Sequence, residues 1–244
     1  MKKDIINISI VNKGRLKAES ENVFKKAKLK ILTKSDRSLV ASIKGYPSIR
    51  VMYMNATEIV EVLGTGVCDI GISGKDLWRE SEVSIQSKIS LIKQYEWGKS
   101  DLVVAVSTSW LDCVNPTDLE EISFEFFNKK KRLMRCATKF KNLTNEWMSS
   151  RGITQYDLVT SLGATENSVE ISKADFITDL SSSGETLRQN NLKVIDDGVI
   201  LKSSACLFAA KNSMKKKEVK KIIKLFAQMV SFLKSPTIFT ILCF

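Results

Sequence analysis

Apolar positions along the chain fall into two rhythms, one of alternate residues and one of three to four, with short polar turns between them. Residues 4–11 read as a buried strand. The turn Asn12-Lys13-Gly14-Arg15 leads to a helix over 16–28, with Leu16, Val23, Phe24 and Ala27 on one face. Residues 38–43 and 48–54 alternate as strands about Lys44-Gly45-Tyr46-Pro47, and 56–64 form a short helix ended by Gly64 and Gly66. Cys68-Asp69-Ile70-Gly71-Ile72 is a buried strand, Ser73-Gly74-Lys75-Asp76 opens another helix, and 83–92 and 101–107 are strands. The stretch 111–131 is acidic, then aromatic, then basic, and reads as partly loop. Beyond it come a strand at 132–138, a helix at 142–151 ended by Gly152, a strand at 155–160 and a short helix at 164–170. Strands at 192–200 and 204–210, a helix at 214–233 and an apolar tail at 235–244 complete the chain. Strands alternating with helices predict an α/β fold with mostly parallel strands.

The most informative stretch is 174–187, where a strand carrying Asp175 and Asp179 runs into Ser181-Ser182-Ser183-Gly184-Glu185-Thr186 and the first turn of a helix. Free N–H groups and the helix dipole at such a turn favour an anion. The Ser and Thr hydroxyls add donors, and Gly184 lets the backbone turn sharply. Alternation puts Asp175 and Asp179 on one face of the strand, suited to sugar hydroxyls or a metal ion. The same residues also read as an ordinary Ser-rich turn after a buried strand; taken as a phosphate cradle beside carboxylates, they point to a phosphorylated sugar.

Composition narrows the chemistry. The chain has 244 residues, 43% of them apolar, enough for a sizeable core. It contains no histidine, which excludes Ser-His and Cys-His nucleophile pairs and His-ligated metals. Catalysis must rest on carboxylates, Lys and Arg, backbone donors and borrowed metal ions. The five cysteines, at 68, 113, 136, 206 and 243, are dispersed and odd in number, the mark of reduced thiols rather than a disulfide framework. The net charge of +11 suits anionic ligands. Its lysine clusters at 25–30, 129–132 and 215–224 are not interleaved with aromatics, so no nucleic-acid partner is expected. No apolar run approaches the ~20 residues of a membrane span, and the N-terminus makes a poor signal peptide, so a cytoplasmic protein without a membrane partner is expected.

Four segments, 12–15, 69–76, 137–143 and 179–187, look like ligand-facing loops at strand ends. With their surroundings they resemble the ATP phosphoribosyltransferase family, from about residue 5 to about residue 233. The matching pieces are Lys13-Gly14-Arg15-Leu16, Cys68 to Asp76, Ala137-Thr138 with Asn142-Leu143-Thr144, Gly163-Ala164-Thr165-Glu166, Ala174 to Leu187, Asn190-Asn191-Leu192 and Ser203 to Leu207. The resemblance implies a two-lobed α/β fold of the type II periplasmic-binding-protein kind, with an active-site cleft between lobes. Lobe I would take 1–95 and 189–234, and lobe II 96–188. No C-terminal regulatory domain is expected, so the chain looks like the short form, a homodimer within a hetero-oligomer with a regulatory subunit akin to histidyl-tRNA synthetase.

The reaction so implied joins N1 of ATP to C1 of phosphoribosyl pyrophosphate, with Mg²⁺ carried by the pyrophosphate and no metal site of the protein's own. By the same resemblance, Ser181, Ser182, Ser183, Gly184, Glu185 and Thr186 would hold the 5-phosphate. Asp179, with Asp175, would act at the ribose, and Arg37 would lie near the substrates. Lys13, Gly14 and Arg15 would meet the polyphosphates. Gly74, Lys75 and Asp76 would face the cleft, and Asn142, Leu143 and Thr144 would help seat the nucleotide. The chain departs from the family at Asn55, where an arginine is usual, and at Lys141, where a proline is usual. The rival reading is a non-catalytic anion-binding protein of the same fold, against which the poor signal peptide and the 183–186 cradle both argue.

Overall fold

The computed structural model describes residues 5–35, 37–161 and 163–228. The elements are, in chain order, β1 (Ile6–Val11), α1 (Arg15–Lys26), β2 (Ile31–Leu32), β3 (Val40–Ile43), β4 (Tyr46–Met54), α2 (Ala56–Gly64), β5 (Ile70–Gly74), α3 (Lys75–Glu80), α4 (Val83–Gln86), β6 (Ile89–Gln94), β7 (Ser100–Ser107), α5 (Pro116–Lys130), β8 (Met134–Thr138), α6 (Lys141–Ser150), β9 (Tyr156–Thr160), α7 (Asn167–Glu170), β10 (Phe176–Ser181), α8 (Glu185–Gln189), β11 (Leu192–Ser203), β12 (Ala205–Ala210) and α9 (Lys217–Gln228), with a 3-10 turn at Lys211–Lys215 before α9. The last residues of the predicted terminal helix and the apolar tail 235–244 lie outside the described residues.

The chain divides into two compact units, each with its own sheet. The first takes the residues up to Gly74, Val83–Trp97 and the chain from Ala205; the second takes Lys75–Glu82 and Gly98–Ser204. The first sheet has the order β2-β3-β4-β1-β5-β12-β6, the second β11-β7-β10-β8-β9. Both are mixed. β1 runs parallel to β4 and β5, and β8 runs parallel to β9 and β10; the other pairings are antiparallel. The expectation of mostly parallel strands is corrected by the hairpins. Lys44-Gly45, with Gly45 at φ 82, turns β3 directly back into β4, and a link this short can join only antiparallel neighbours.

Three further expectations change. Residues 192–203, expected with lobe I, pair along β7 in the second sheet, from Leu192 opposite Ser107 to Ser203 opposite Ser100. Residues 83–86 are a helical turn rather than the start of a strand. Ile85 there packs so close to α2 that a Cβ on Gly64 would lie 2.7 Å from its Cγ2. The 111–131 stretch is mostly the helix α5. Its start is well capped: the Asn115 side chain accepts from the Thr117 and Asp118 N–H groups at 2.8 and 3.2 Å, Asp118 accepts from the Asn115 N–H at 2.9 Å, and Pro116 takes the first helical position.

Each unit has its own core. In the first, Ile8, Ile10, Val51, Ile70, Ile72 and Leu207 line the sheet, and Phe24 of α1 meets Phe226 of α9 edge to face at 4.8 Å. In the second, Val104, Val106, Met134, Cys136 and Phe176 pack with Trp147 and Met148 of α6. Cys68, Cys113, Cys136 and Cys206 are buried; burial pushes the Cys68 and Cys113 thiols up to about 11, which leaves them unreactive. Among the described residues no helix is long and apolar enough to cross a membrane.

Candidate active site

β10 is the central strand of its sheet, and its sequence explains how it presents a site. Phe176, Ile177 and Thr178 are buried; Asp179, Leu180 and Ser181 emerge half-exposed at the carboxyl end. The chain then turns through Ser182 and Ser183 to Gly184 at φ 74, a left-handed conformation in which a side chain is strained. Ser181 Oγ accepts from the Gly184 N–H at 3.0 Å, and Ser183 Oγ is 3.4 Å from the Glu185 N–H. The first turn of α8 leaves the N–H groups of Thr186 and Leu187 without intrahelical acceptors. Together this loop, Asp179, Lys139, Glu166, Gly163 and Ala164 line a cavity of about 300 Å³.

Asp179 is the charged centre of the cavity. Burial pushes its carboxyl above the usual carboxylate range, outweighing the Leu180 N–H bond at 2.8 Å, the charge of Lys139 and a bond from the Thr165 hydroxyl; the charge of Glu166 adds to the rise. Lys139 and Glu166 are therefore the partners that tune it. Neither was named as a site residue on sequence grounds, although Lys139 falls in the 137–143 loop and Glu166 in a piece that matches the family. The signal for Lys139 was its place directly after β8, which lies beside β10 in parallel.

The other predicted residues divide clearly. Ser181 to Thr186 all lie at the cavity, although Glu185 turns its carboxylate to Arg188 at 2.7 Å and Gln189 at 3.0 Å. Asp175 does not join Asp179. It precedes β10, about 13 Å along the strand from Asp179 at ~3.3 Å per residue. There it accepts from both guanidinium nitrogens of Arg132 at 2.7 and 2.9 Å and from the Arg135 N–H at 2.8 Å. It lines a different groove, of about 740 Å³, with those two arginines.

At the start of α6 the expected nucleotide seat is already engaged. Glu80 accepts from the N–H groups of Asn142 and Leu143 at 2.9 and 3.0 Å, and the Asn142 side chain donates to the Glu80 carbonyl at 2.7 Å. Leu143 and Thr144 are buried. Asp76 is also buried; the Ser203 hydroxyl donates to its carboxylate at 2.6 Å and its own N–H donates to Ser203 Oγ at 3.0 Å. Lys75 donates its N–H to the Ser204 carbonyl at 3.0 Å, while Gly74 ends β5. In the first unit, Lys13 is exposed and Gly14, at φ 75, begins α1. Arg37 is exposed in the turn between β2 and β3, beside Ser38, whose Oγ accepts from the Ser35 N–H at 3.0 Å. Asn55 stands extended before α2, and Glu58 accepts from its N–H at 3.0 Å.

Comparison with known proteins gives one answer. The family model described as ATP phosphoribosyltransferase matches residues 55–230. ATP phosphoribosyltransferases of Brucella suis and Brucella abortus are each 37% identical to the chain over 219 residues, covering 89% of this chain and 95% of the relative. Among solved structures, the ATP phosphoribosyl transferase (HisG:HisZ) complex from Thermotoga maritima matches with a TM-score of 0.73 at 22% identity, over 92% of this chain and 98% of that one. An extracellular-binding protein of amino-acid ABC transporter type from Bacillus subtilis matches with a TM-score of 0.52 at 14% identity, over 94% and 93% of the two chains. At these identities the two structures bear on the fold alone, which is of the periplasmic-binding-protein-like class.

Proposed function

The chain belongs to the ATP phosphoribosyltransferase family, whose enzymes catalyse the first step of histidine biosynthesis, and from that premise we propose how its residues perform the reaction. The loop from Ser181 to Thr186 holds the 5-phosphate of phosphoribosyl pyrophosphate through backbone N–H groups and hydroxyls. The observation that carries this assignment is the left-handed turn at Gly184, which shapes a polar cavity directly after Asp179.

Asp179 lies beside the ribose. Transfer of the phosphoribosyl group passes through an oxocarbenium-like state, in which positive charge builds on C1 and the ring oxygen. A half-buried carboxylate next to that charge acts through a medium less screened than water. Lys139 helps keep Asp179 ionised and offers a cation to substrate phosphates. N1 of ATP attacks C1, the bond from C1 to pyrophosphate breaks, and the electron pair leaves with pyrophosphate. N1 carries no proton to remove, so the absence of histidine is no handicap. Holding two polyanions in line then accounts for most of the catalysis. Lys13, Gly14 and Arg15 meet the polyphosphates and Arg37 serves the same end.

Mg²⁺ brought by pyrophosphate would neutralise the leaving group's charge. Asp179, with the charge of Glu166 beside it at the cavity, suits an ion whose other ligands are phosphate and water oxygens. Among the described residues no three His, Cys, Asp or Glu side chains cluster to hold a metal by themselves. Asp175 and Asp76, each engaged by its own partners, hold structure rather than substrate. A cytoplasmic enzyme fits this pathway.

The working assembly is a homodimer joined to a regulatory subunit akin to histidyl-tRNA synthetase. The Thermotoga maritima HisG:HisZ complex supports the hetero-oligomeric part of this reading. The test is to incubate the purified chain with ATP, phosphoribosyl pyrophosphate and Mg²⁺, with and without that subunit, and to follow phosphoribosyl-ATP and pyrophosphate. Formation of both products is expected. Absence of product in either mixture, with substrates still bound, would favour the non-catalytic reading. Gly184→Val should abolish phosphoribosyl pyrophosphate binding by calorimetry, and unchanged affinity would remove the cradle assignment.

A further inference from the structure

Behind the candidate site, three buried hydroxyls meet. Thr138 ends β8, Thr178 lies in β10 opposite it in register, and Thr144 comes from the first turn of α6. All three are 0% exposed. Thr178 donates to Thr138 at 2.6 Å, the Thr144 and Thr178 hydroxyls are 2.7 Å apart, and those of Thr138 and Thr144 are 3.4 Å apart. Each hydroxyl has one proton. With Thr178 giving its proton to Thr138, Thr144 must donate to Thr178, which leaves the Thr138 proton to close a ring toward Thr144.

The ring has one opening to its surroundings that matters. Thr138 Oγ1 also accepts from the Phe140 N–H at 2.9 Å, and the Thr138 carbonyl accepts from the Ser161 N–H at 3.0 Å. The two peptide groups that flank Lys139 are thus held, one by Thr138 Oγ1 and the other by the Ser161 N–H. Asp179 is the residue after Thr178. Lys139 and Asp179, which both line the cavity and interact electrostatically, are the immediate neighbours of two ring members.

We propose that the Thr138–Thr144–Thr178 ring is a positioning device for the transfer reaction, setting the height of β8 against β10 and so the placing of Lys139 against Asp179. This rests on the reading of Asp179 as the group beside the ribose. The ring touches no substrate and acts only through its neighbours. Buried hydroxyls that polarise one another make a stiff link, and a hydroxyl left without its partner is costly. An alternative, purely structural role would require only that the site be filled and satisfied.

Steady-state kinetics and thermal melting of four variants in the full chain separate these roles. Thr178→Val should lower kcat by about tenfold to a hundredfold, the scale of a misplacement near 1 Å, with KM for phosphoribosyl pyrophosphate little changed. Thr178→Ser should recover most of kcat. The triple variant Thr138→Val, Thr144→Val, Thr178→Val leaves no orphaned hydroxyl, so it should recover melting temperature while kcat stays low. Wild-type kcat in Thr178→Val, or recovery of kcat together with stability in the triple variant, would overturn the proposal. Asp179→Asn is the control. Wild-type turnover there would overturn the reading beneath the proposal, whereas an inactive Asp179→Asn beside a fully active Thr178→Val overturns the ring's role alone.

Discussion

At the scale of single residues, the role proposed for Asp179 sets function against stability. Its carboxyl is raised by burial, so the folded state holds a proton more tightly than the unfolded chain does. The sign follows: stability falls as pH rises from the ordinary carboxylate range through the raised value, and at neutral pH the ionised group is a burden. Asp179→Asn should therefore melt higher than wild type at pH 7, with the gain shrinking on acidification, while kcat falls by about 10²-fold or more. Melting curves from pH 4 to pH 8 with turnover at pH 7 check both halves. Asp179 and the serine loop were legible in the sequence because strand, turn and helix start are all local patterns. Lys139 and Glu166 were not, because what makes them matter is the cavity they share with Asp179, which only folding creates.

At the scale of elements, the Asp175 clip fastens the start of β10 to β8. Burial alone would raise this carboxyl, but the Arg132 fork, the Arg135 N–H and both guanidinium charges outweigh it and hold it below the ordinary range. A lowered value means the clip contributes fully above the ordinary carboxylate range and is lost as pH falls through the folded value. Asp175→Ala should lower stability by roughly 1–2 kcal/mol at pH 7, allowing for the partial exposure of its arginine partners, with kcat within about twofold of wild type on the scale of surface changes. A tenfold loss of kcat at unchanged stability would return Asp175 to the active site. The period of two counts Asp175 and Asp179 onto one face, but β10 begins only at Phe176, and the period carries no information on which end of the strand meets the ligand. α5 was obscured for a related reason. Its acidic, aromatic and basic blocks give a weak helical stripe, whereas the cap at Asn115-Pro116 specifies its start. Asn115→Ala should cost about 1 kcal/mol, read by chemical denaturation. Glu80 lies 62 residues from Asn142, a pairing that no window along the sequence brings together.

At the scale of the whole molecule, a charge of +11 would draw in two polyanionic substrates. Raising KCl from about 0.05 M to about 0.5 M shortens the screening length from roughly 14 Å to roughly 4 Å, and KM for phosphoribosyl pyrophosphate should rise several-fold while kcat holds. A KM that does not respond to salt would mean the charge serves something other than substrate capture. The α/β class was legible from alternation alone, because each element keeps its own rhythm. The division of strands between sheets was not, since β11 could have extended either sheet and its pairing with β7 is settled by long-range register. The chain passes between its two units at 74–75, 82–83, 97–98 and 204–205, and this has a consequence for synthesis. β12 lies inside the first sheet, between β5 and β6, yet it is the last strand described. A ribosome has therefore made some two hundred residues, at about 5–20 per second, before the first unit can close its sheet. During those seconds β5 and β6 have emerged while the strand that lies between them has not.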